Sequence, residues 1–369
     1  MLLKPLGKQK GAMLITTAFF LILVIGFAAV AVDVGHILIA RNELQNGADA
    51  AALAGANCLD KTTAGSGADC TSTPLGTLNW AIAATKATNS IGLNKTDGAT
   101  LVDGTVTTGY KNLTGTPAGL QPTTLSPITI NDRPAVMVSL SKASGKNGGP
   151  VKTLITAMFG GAAVPVVVKA VAVISAPGNV IPGSLIPQAI NLCMFNQYWN
   201  SATNSPQLAT SATLNGVPQV IGQPWELRIG SSYHYPACDS GQWTSFNLNA
   251  NDVPTVRGLI TTGNPTSLGI GDNTWIEPGT KTSLYDDLSA KYPTPPGADV
   301  TVLVVDVPAG LSGQGQTPIV AFAGFHIDDI QGGSGKYIQG HFIGGVTTSG
   351  SSGSGTHSLG AYTPPRLAQ

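Results

Sequence analysis

The stretch GAMLITTAFFLILVIGFAAVAV, Gly11 to Val32, decides how the rest of the chain is read. Its twenty-two residues include no charged side chain and no proline. A helix of that length, rising ~1.5 Å per residue, covers roughly 33 Å, about the hydrocarbon thickness of a bilayer. A core helix of a soluble domain carries polar residues at helical spacing. Here the polar groups are Thr16 and Thr17, whose hydroxyls bond back to the helix carbonyls. Residues 11–32 therefore read as a transmembrane helix. Lys4, Lys8 and Lys10 precede it, and Asp33, Arg41 and Glu43 follow. Lysine and arginine flanking a membrane helix stay in the cytoplasm, so residues 1–10 are expected inside and the bulk of the chain outside. The alternative is a cleaved secretory signal ending at Ala29-Val30-Ala31, but the apolar run exceeds the usual ~7–15 residues. Either reading exports the body.

Past the membrane segment, Val34, Ile37, Leu38, Leu44, Ala48, Ala51, Ala52 and Gly55 recur at three- and four-residue intervals, the period of one helix face. The membrane helix is expected to continue through residues 33–57 as an amphipathic stalk, reaching about 70 Å from Gly11 to Ala56 if unbroken. Toward its end the face becomes Ala and Gly, which permits close backbone approach. That face has two readings, a surface for partner subunits or the first helix packing on its own domain.

The run AVDVGHILIARNELQNGADAAALAGA, Ala31 to Ala56, behind KQKGA and an apolar span, resembles the amino-terminal signature of TadG-like (TadE/TadG family) proteins of the tight-adherence, or Flp, pilus machinery. Asp33, Arg41, Leu44, Gln45, Asn46, Asp49 and Leu53 fit that pattern in order. VKTLITAMFG and VVVKAVAVIS, together with the distal phrases CDSGQWTSF, GDNTWIEPGTKTSLYDDL and KYIQGHF, are similar to the same family. The resemblance implies a non-enzymatic, single-pass protein of the bacterial inner membrane, accessory or minor-pilin-like, with other Flp/Tad assembly proteins as partners. It marks Asp33, Arg41, Leu44, Gln45, Asp49 and Leu53 as assembly contacts. True prepilins carry Glu at the fifth position of the mature segment, where Thr16 stands here. An uncharged residue cannot neutralise a neighbouring amino group, so a retained, uncleaved anchor is expected.

Composition points the same way. Only 10% of the 369 residues are charged, against a typical ~25%. Lys+Arg and Asp+Glu balance at 19 each, with no basic run beyond the amino terminus, which argues against nucleic acid as a partner. Four cysteines in an exported chain suggest two disulfides. Proximity favours Cys58 with Cys70 and Cys193 with Cys238, one of three connectivities.

The expected fold is α+β. Residues 58–175 read as an α+β domain: a Gly-rich loop at 57–76, a helix from Thr77 to Leu93, strands over Leu101–Tyr110 and Ala135–Leu140, a helix after Pro150, and a strand over Val164–Ile174. Residues 176–188 read as an extended Pro/Gly linker. Residues 189–346 read as a β-rich distal domain with strands over Asp299–Val307, Pro318–Ile330 and Lys336–Val346, the last two joined by a turn at Gly332–Gly335. Residues 347–369 read as a flexible Gly/Ser-rich tail.

The residues with chemistry form no recognisable constellation. Some TadG-like proteins carry a von Willebrand A-type metal site of the form Asp-x-Ser-x-Ser. After Asp306 the serine places hold Pro308 and Gly310, which offer no side-chain oxygen. Asp286, Asp287, Asp328 and Asp329, with His326 and His341, have no ligand or acid/base spacing, and strand neighbours point to opposite faces. GGSGK at Gly332–Lys336 lacks the glycine spacing of a phosphate loop and reads as a turn. Asn249, Asn251, Asp252, Asp272, Asn273 and Glu277 match no Ca²⁺ loop pattern. No cofactor is expected. Trp199, Trp225, Trp243 and Trp275 offer the alternative function, a glycan- or host-surface-binding adhesin acting through a stacking face; aromatic residues of a Phe-poor domain are more often core.

Overall fold

The computed structural model describes residues 10–60, 63–64, 70–71, 78–153, 155, 157, 160, 163–230, 233, 235, 239–279, 281–308, 310–311, 313–344, 346–351 and 359–368. Helix α1 runs unbroken over Lys10–Ala56, and α2 over Trp80–Ile91. Strands β1 (Lys95–Thr96), β2 (Ala99–Thr100), β3 (Thr105–Asn112), β4 (Leu120–Gln121), β5 (Asp132–Lys142), β6 (Val166–Val173), β7 (Asn179–Val180) and β8 (Gln188–Asn191) follow. Next come α3 (Leu192–Tyr198), β9 (Leu227–Ile229), β10 (Gly241–Phe246), α4 (Val253–Thr262), β11 (Leu268–Gly269), β12 (Asn273–Glu277) and α5 (Ser283–Lys291). The chain ends with β13 (Ala298–Val305), β14 (Gly315–Gln331), β15 (Tyr337–Phe342), β16 (Val346–Thr347), β17 (Ala361–Tyr362) and β18 (Arg366–Leu367).

Two compact units share the chain: residues 1–51, 88–105 and 138–170 form one, and residues 52–87, 106–137 and 171–369 the other. Within the first unit, α1 lays Leu44, Gly47, Ala48 and Ala51 into a core with Ile91, Leu101 and Leu140. Gly47 is required by proximity, since a Cβ there would stand 2.8 Å from Leu101 Cδ1. The β1–β2 hairpin turns at Asp97-Gly98, both at positive φ (50° and 74°), the backbone pair that a two-residue type I′ turn demands.

In the second unit the small-residue end of α1 packs on α2. A Cβ on Gly55 would meet Ala87 Cβ at 2.8 Å and Ala83 O at 2.9 Å. Cys58 and Cys70 are joined in a disulfide; Cys193 is also disulfide-bonded, while Cys238 lies outside the described residues. A five-stranded sheet runs β18-β6-β5-β3-β4.

The distal part is a seven-stranded sheet, β9-β15-β14-β12-β10-β8-β13, in which β13 also pairs with β14. The strands β14, β12, β10, β8 and β13 thus close into a ring, which removes their free edges. Strand β13 alternates between two cores. Val300, Val302 and Val304 join Phe195, Trp243 and Tyr285 on one side, and Leu303 and Val305 join Phe246, Ile276 and Phe322 on the other. Apolar residues on both faces explain why this strand reads as a continuous hydrophobic run.

Three expectations are corrected. Residues 176–188 are not an extended spacer: Val180, Leu185 and Ile186 are core residues, and β7 pairs with β11. Apolar side chains spaced between the prolines anchor the segment. The tail beyond Thr347 is not free either, because β17 pairs with β16 and β18 adds to the edge of β6. Ala361 and Tyr362 are buried; residues 352–358 lie outside the described residues. Of the ten residues expected as a helix after Pro150, positions 154, 156, 158 and 159 lie outside the described residues, and Val151 is extended instead of helical, bridged to Val164.

Candidate functional site

Helix α1 is the candidate site, and its two halves have different surroundings. Among the described residues it is the one helix long and apolar enough to cross a membrane. From Met13 to Val32 every side chain is exposed except Ala29. Thr16 and Thr17 both bond back to Met13 O, at 3.1 and 2.7 Å, so this half offers no free hydroxyl donor.

At Asp33 the burial pattern changes. Asp33 is 3% exposed and its Oδ1 accepts from the backbone N–H of Ile155 at 3.1 Å. One turn higher the β1–β2 hairpin grips the helix. Asp97 Oδ1 lies 3.0 Å from His36 Nε2, the Asp97 N–H donates to Glu43 Oε2 at 2.7 Å, and Thr96 Oγ1 donates to Ala40 O at 3.0 Å. The buried ammonium of Lys142 lies 3.6 Å from Asp97 Oδ2 and donates to Asn147 O. The Asp-Gly turn thus aims one carboxylate at a histidine and an ammonium while its backbone holds a glutamate.

Of the six assembly contacts expected from sequence, Asp33 and Leu44 face the chain's own core. Of the two readings of the Leu44–Gly55 face, the structure shows the internal one: Leu44, Ala48, Ala51 and Ala52 are buried, and the space beside Gly47 and Gly55 is taken by Leu101, Ala83 and Ala87 of the same chain. Arg41 is exposed, and Gln45, Asp49 and Leu53 are half-buried on the more open side. Gln45 Nε2 donates to Asp49 Oδ1 at 2.7 Å and to Lys169 O at 3.2 Å.

The four tryptophans have different surroundings. Trp199 and Trp243 are core residues, and Trp225 and Trp275 are half-buried. Burial takes the Trp199 and Trp243 rings out of any stacking surface, while Trp225 and Trp275 keep part of theirs exposed.

The distal acids and histidines are brought together where sequence spacing gave no sign of it. His326 Nδ1 lies 2.6 Å from Asp299 Oδ1, and His341 Nδ1 lies 2.6 Å from Asp328 Oδ2. The pairing of β13, β14 and β15 sets His326 beside Asp299 and opposite His341, and a bulge between Ile327 and Asp329 separates the two aspartates. Asp328 turns to the histidines while Asp329 accepts from Tyr337 Oη at 2.9 Å. The hydrogen bond from Asp299 raises the His326 pKa above its ordinary value of 6.5, against the opposing effect of burial. Across this layer Glu226 bonds Gln339, and burial pushes its carboxyl upward. Among the described residues no group of three or more His, Cys, Asp or Glu side chains is arranged to hold a metal ion.

The remaining polar residues have structural tasks. Asp252 caps α4 by accepting from Thr255 N at 2.8 Å. Lys281 Nζ donates to Asn251 Oδ1 and to the carbonyls of Glu277 and Pro278. Asp287 pairs with Arg257 at 2.6 Å. Gly333–Gly335 is a single 3₁₀ turn, and Asp306 is an exposed residue just past the end of β13.

Comparison with protein families gives two matches. The TadE/G-like Flp pilus-assembly model covers residues 11–57, and the Tad-like Flp pilus-assembly model covers residues 41–172. Neither the curated proteins nor the solved structures give a match. The first match begins one residue into α1 and ends one residue beyond it; the second ends one residue before the end of β6. By these two matches residues 11–172 are similar to the Flp pilus-assembly families, TadE/G-like along α1 and Tad-like beyond it.

Proposed function

We propose that the chain serves pilus assembly as a non-enzymatic component, minor-pilin-like or accessory, held in the inner membrane by the first half of α1 with its amino terminus cytoplasmic. The observation that carries this is the coincidence of the TadE/G-like match with a helix that is bare on nearly all sides over Met13–Val32 and packed on one side above. A bare apolar helix has two uses, lipid contact and contact with another membrane helix. Subunit contacts then lie along Met13–Val32 and, farther up, on the open side bearing Arg41, Gln45, Asp49 and Leu53. The lysines before the apolar run support the orientation.

Photo-crosslinking in piliated cells tests the reading. A crosslinker at Leu23 or Phe27 is expected to capture another Flp/Tad component, and one at Ala48 to react only within the chain. Capture from neither membrane position, with the protein present in the membrane fraction, contradicts the assembly role.

A further inference from the structure

The exposed side of α1 stays apolar beyond the point where the helix first meets its own domain. Val34, Leu38 and Ile39 are 49%, 50% and 60% exposed. The acid at this level, Asp33, is turned inward and buried, and His36 is drawn to Asp97. From Met13 to Ile39 the exposed surface of the helix therefore carries no carboxylate, ammonium or guanidinium. Arg41 is the first such group, and it follows Val34 and Leu38 at helical spacing. The uncharged length is 27 positions, about 40 Å of helix. A hydrocarbon core takes ~30 Å, and a bilayer with both headgroup layers ~40–45 Å.

We propose that Val34, Leu38 and Ile39 lie in the outer headgroup layer of the membrane, with Arg41 reaching the lipid phosphates, so that the base of the first unit is seated in the bilayer surface instead of standing above it on a stalk. The inference rests on the membrane reading of Met13–Val32, and continuity with that span selects phospholipid as the occupant. Long cationic side chains at helix ends place their charge at the headgroups and their stems along apolar surface. The contacts at Asp33 and His36 have a matching role. At the edge of the hydrocarbon a carboxylate or imidazole that loses water is destabilising unless it is hydrogen-bonded, and here Ile155 N and Asp97 hold both toward the protein.

Because the chain has no free cysteine among its described residues, a single introduced cysteine carries an environment-sensitive fluorophore at one site. Leu23→Cys, Leu38→Cys, Ile39→Cys and Asn46→Cys, each in the full chain, are labelled and reconstituted into vesicles of phosphatidylethanolamine and phosphatidylglycerol. Variants are compared only where the melting temperature matches the unlabelled protein. Headgroup-level nitroxide lipid is expected to quench labels at positions 38 and 39, with acrylamide quenching there reduced roughly fivefold relative to position 46 by the interfacial layer. Deep nitroxide lipid is expected to quench position 23. Acrylamide quenching at 38 and 39 equal to that at 46, with 23 still quenched from the lipid, overturns the seating but leaves the anchor. Protection of 38 and 39 from both acrylamide and nitroxide lipid also overturns it, since another protein surface then covers them. Free acrylamide access at 23 removes the membrane reading itself.

Discussion

From Met13 to Val32 helix α1 buries one residue, Ala29; from Asp33 to Ala56 buried positions return every few residues at Asp33, Ala40, Leu44, Ala48, Ala51 and Gly55. The backbone is continuous through both halves. On the proposed membrane reading, an unbroken helix serves two solvents when its side chains change pattern: uniform apolarity for lipid, and a small-residue stripe where protein covers one side. The hairpin turn at Asp97 and the Ile155 N–H mark the changeover, because they take the polar groups of Asp33, His36 and Glu43 out of the apolar surface.

Substitutions separate the halves. Leu23→Arg combined with Phe27→Arg puts two charges at the centre of the lower half, each costing about 2.5–3.5 kcal/mol on insertion. The double variant is expected to leave the carbonate-resistant membrane pellet, a loss of retention by roughly three orders of magnitude or more, with the distal domain still folded. Retention at the wild-type level breaks the comparison. Leu44→Ala does the reverse: it opens a cavity in the upper half, where Leu44 is fully buried, and is expected to lower stability by about 2–5 kcal/mol. Thermal melting reads this loss while membrane retention stays unchanged.

The local features of this contrast were legible in sequence, and the nonlocal ones were not. The length and uniform apolarity of Gly11–Val32, the Ala/Gly period after it, and the β-branched runs that become β6 and β13 are properties of short windows. The choice between partner surface and internal core for Leu44–Gly55 was open, since the same small residues suit either neighbour. Burial of Val180, Leu185 and Ile186 depends on residues paired from far along the chain, such as Leu268 with Val180. The return of Arg366-Leu367 to the edge of β6 crosses almost two hundred positions, and no local pattern records it. The histidine and aspartate layer depends on strand register and on a bulge at Asp328, and strict alternation along a strand hides it.

The smallest expected effect distinguishes the distal barrel from the helix by pH. The pKa of His326 is raised in the folded chain from 6.5, mainly by its hydrogen bond to Asp299. A raised folded pKa means that the protonated imidazole stabilises the fold. The contribution is complete below pH 6.5, the ordinary value, and is lost as the pH climbs through the raised one. Melting temperature is therefore expected to fall across that window, by less than Leu44→Ala produces, and Asp299→Asn is expected to flatten the dependence. Carbonate-resistant retention through α1 is expected to show no such window.

Carbonate extraction of envelope membranes, followed by mass spectrometry of the pelleted and released chain, tests the central claim most directly. The account predicts the polypeptide in the pellet with peptides spanning Met13–Val32 intact and Cys58 still joined to Cys70. Recovery of the chain in the soluble fraction with that helix still attached would contradict it.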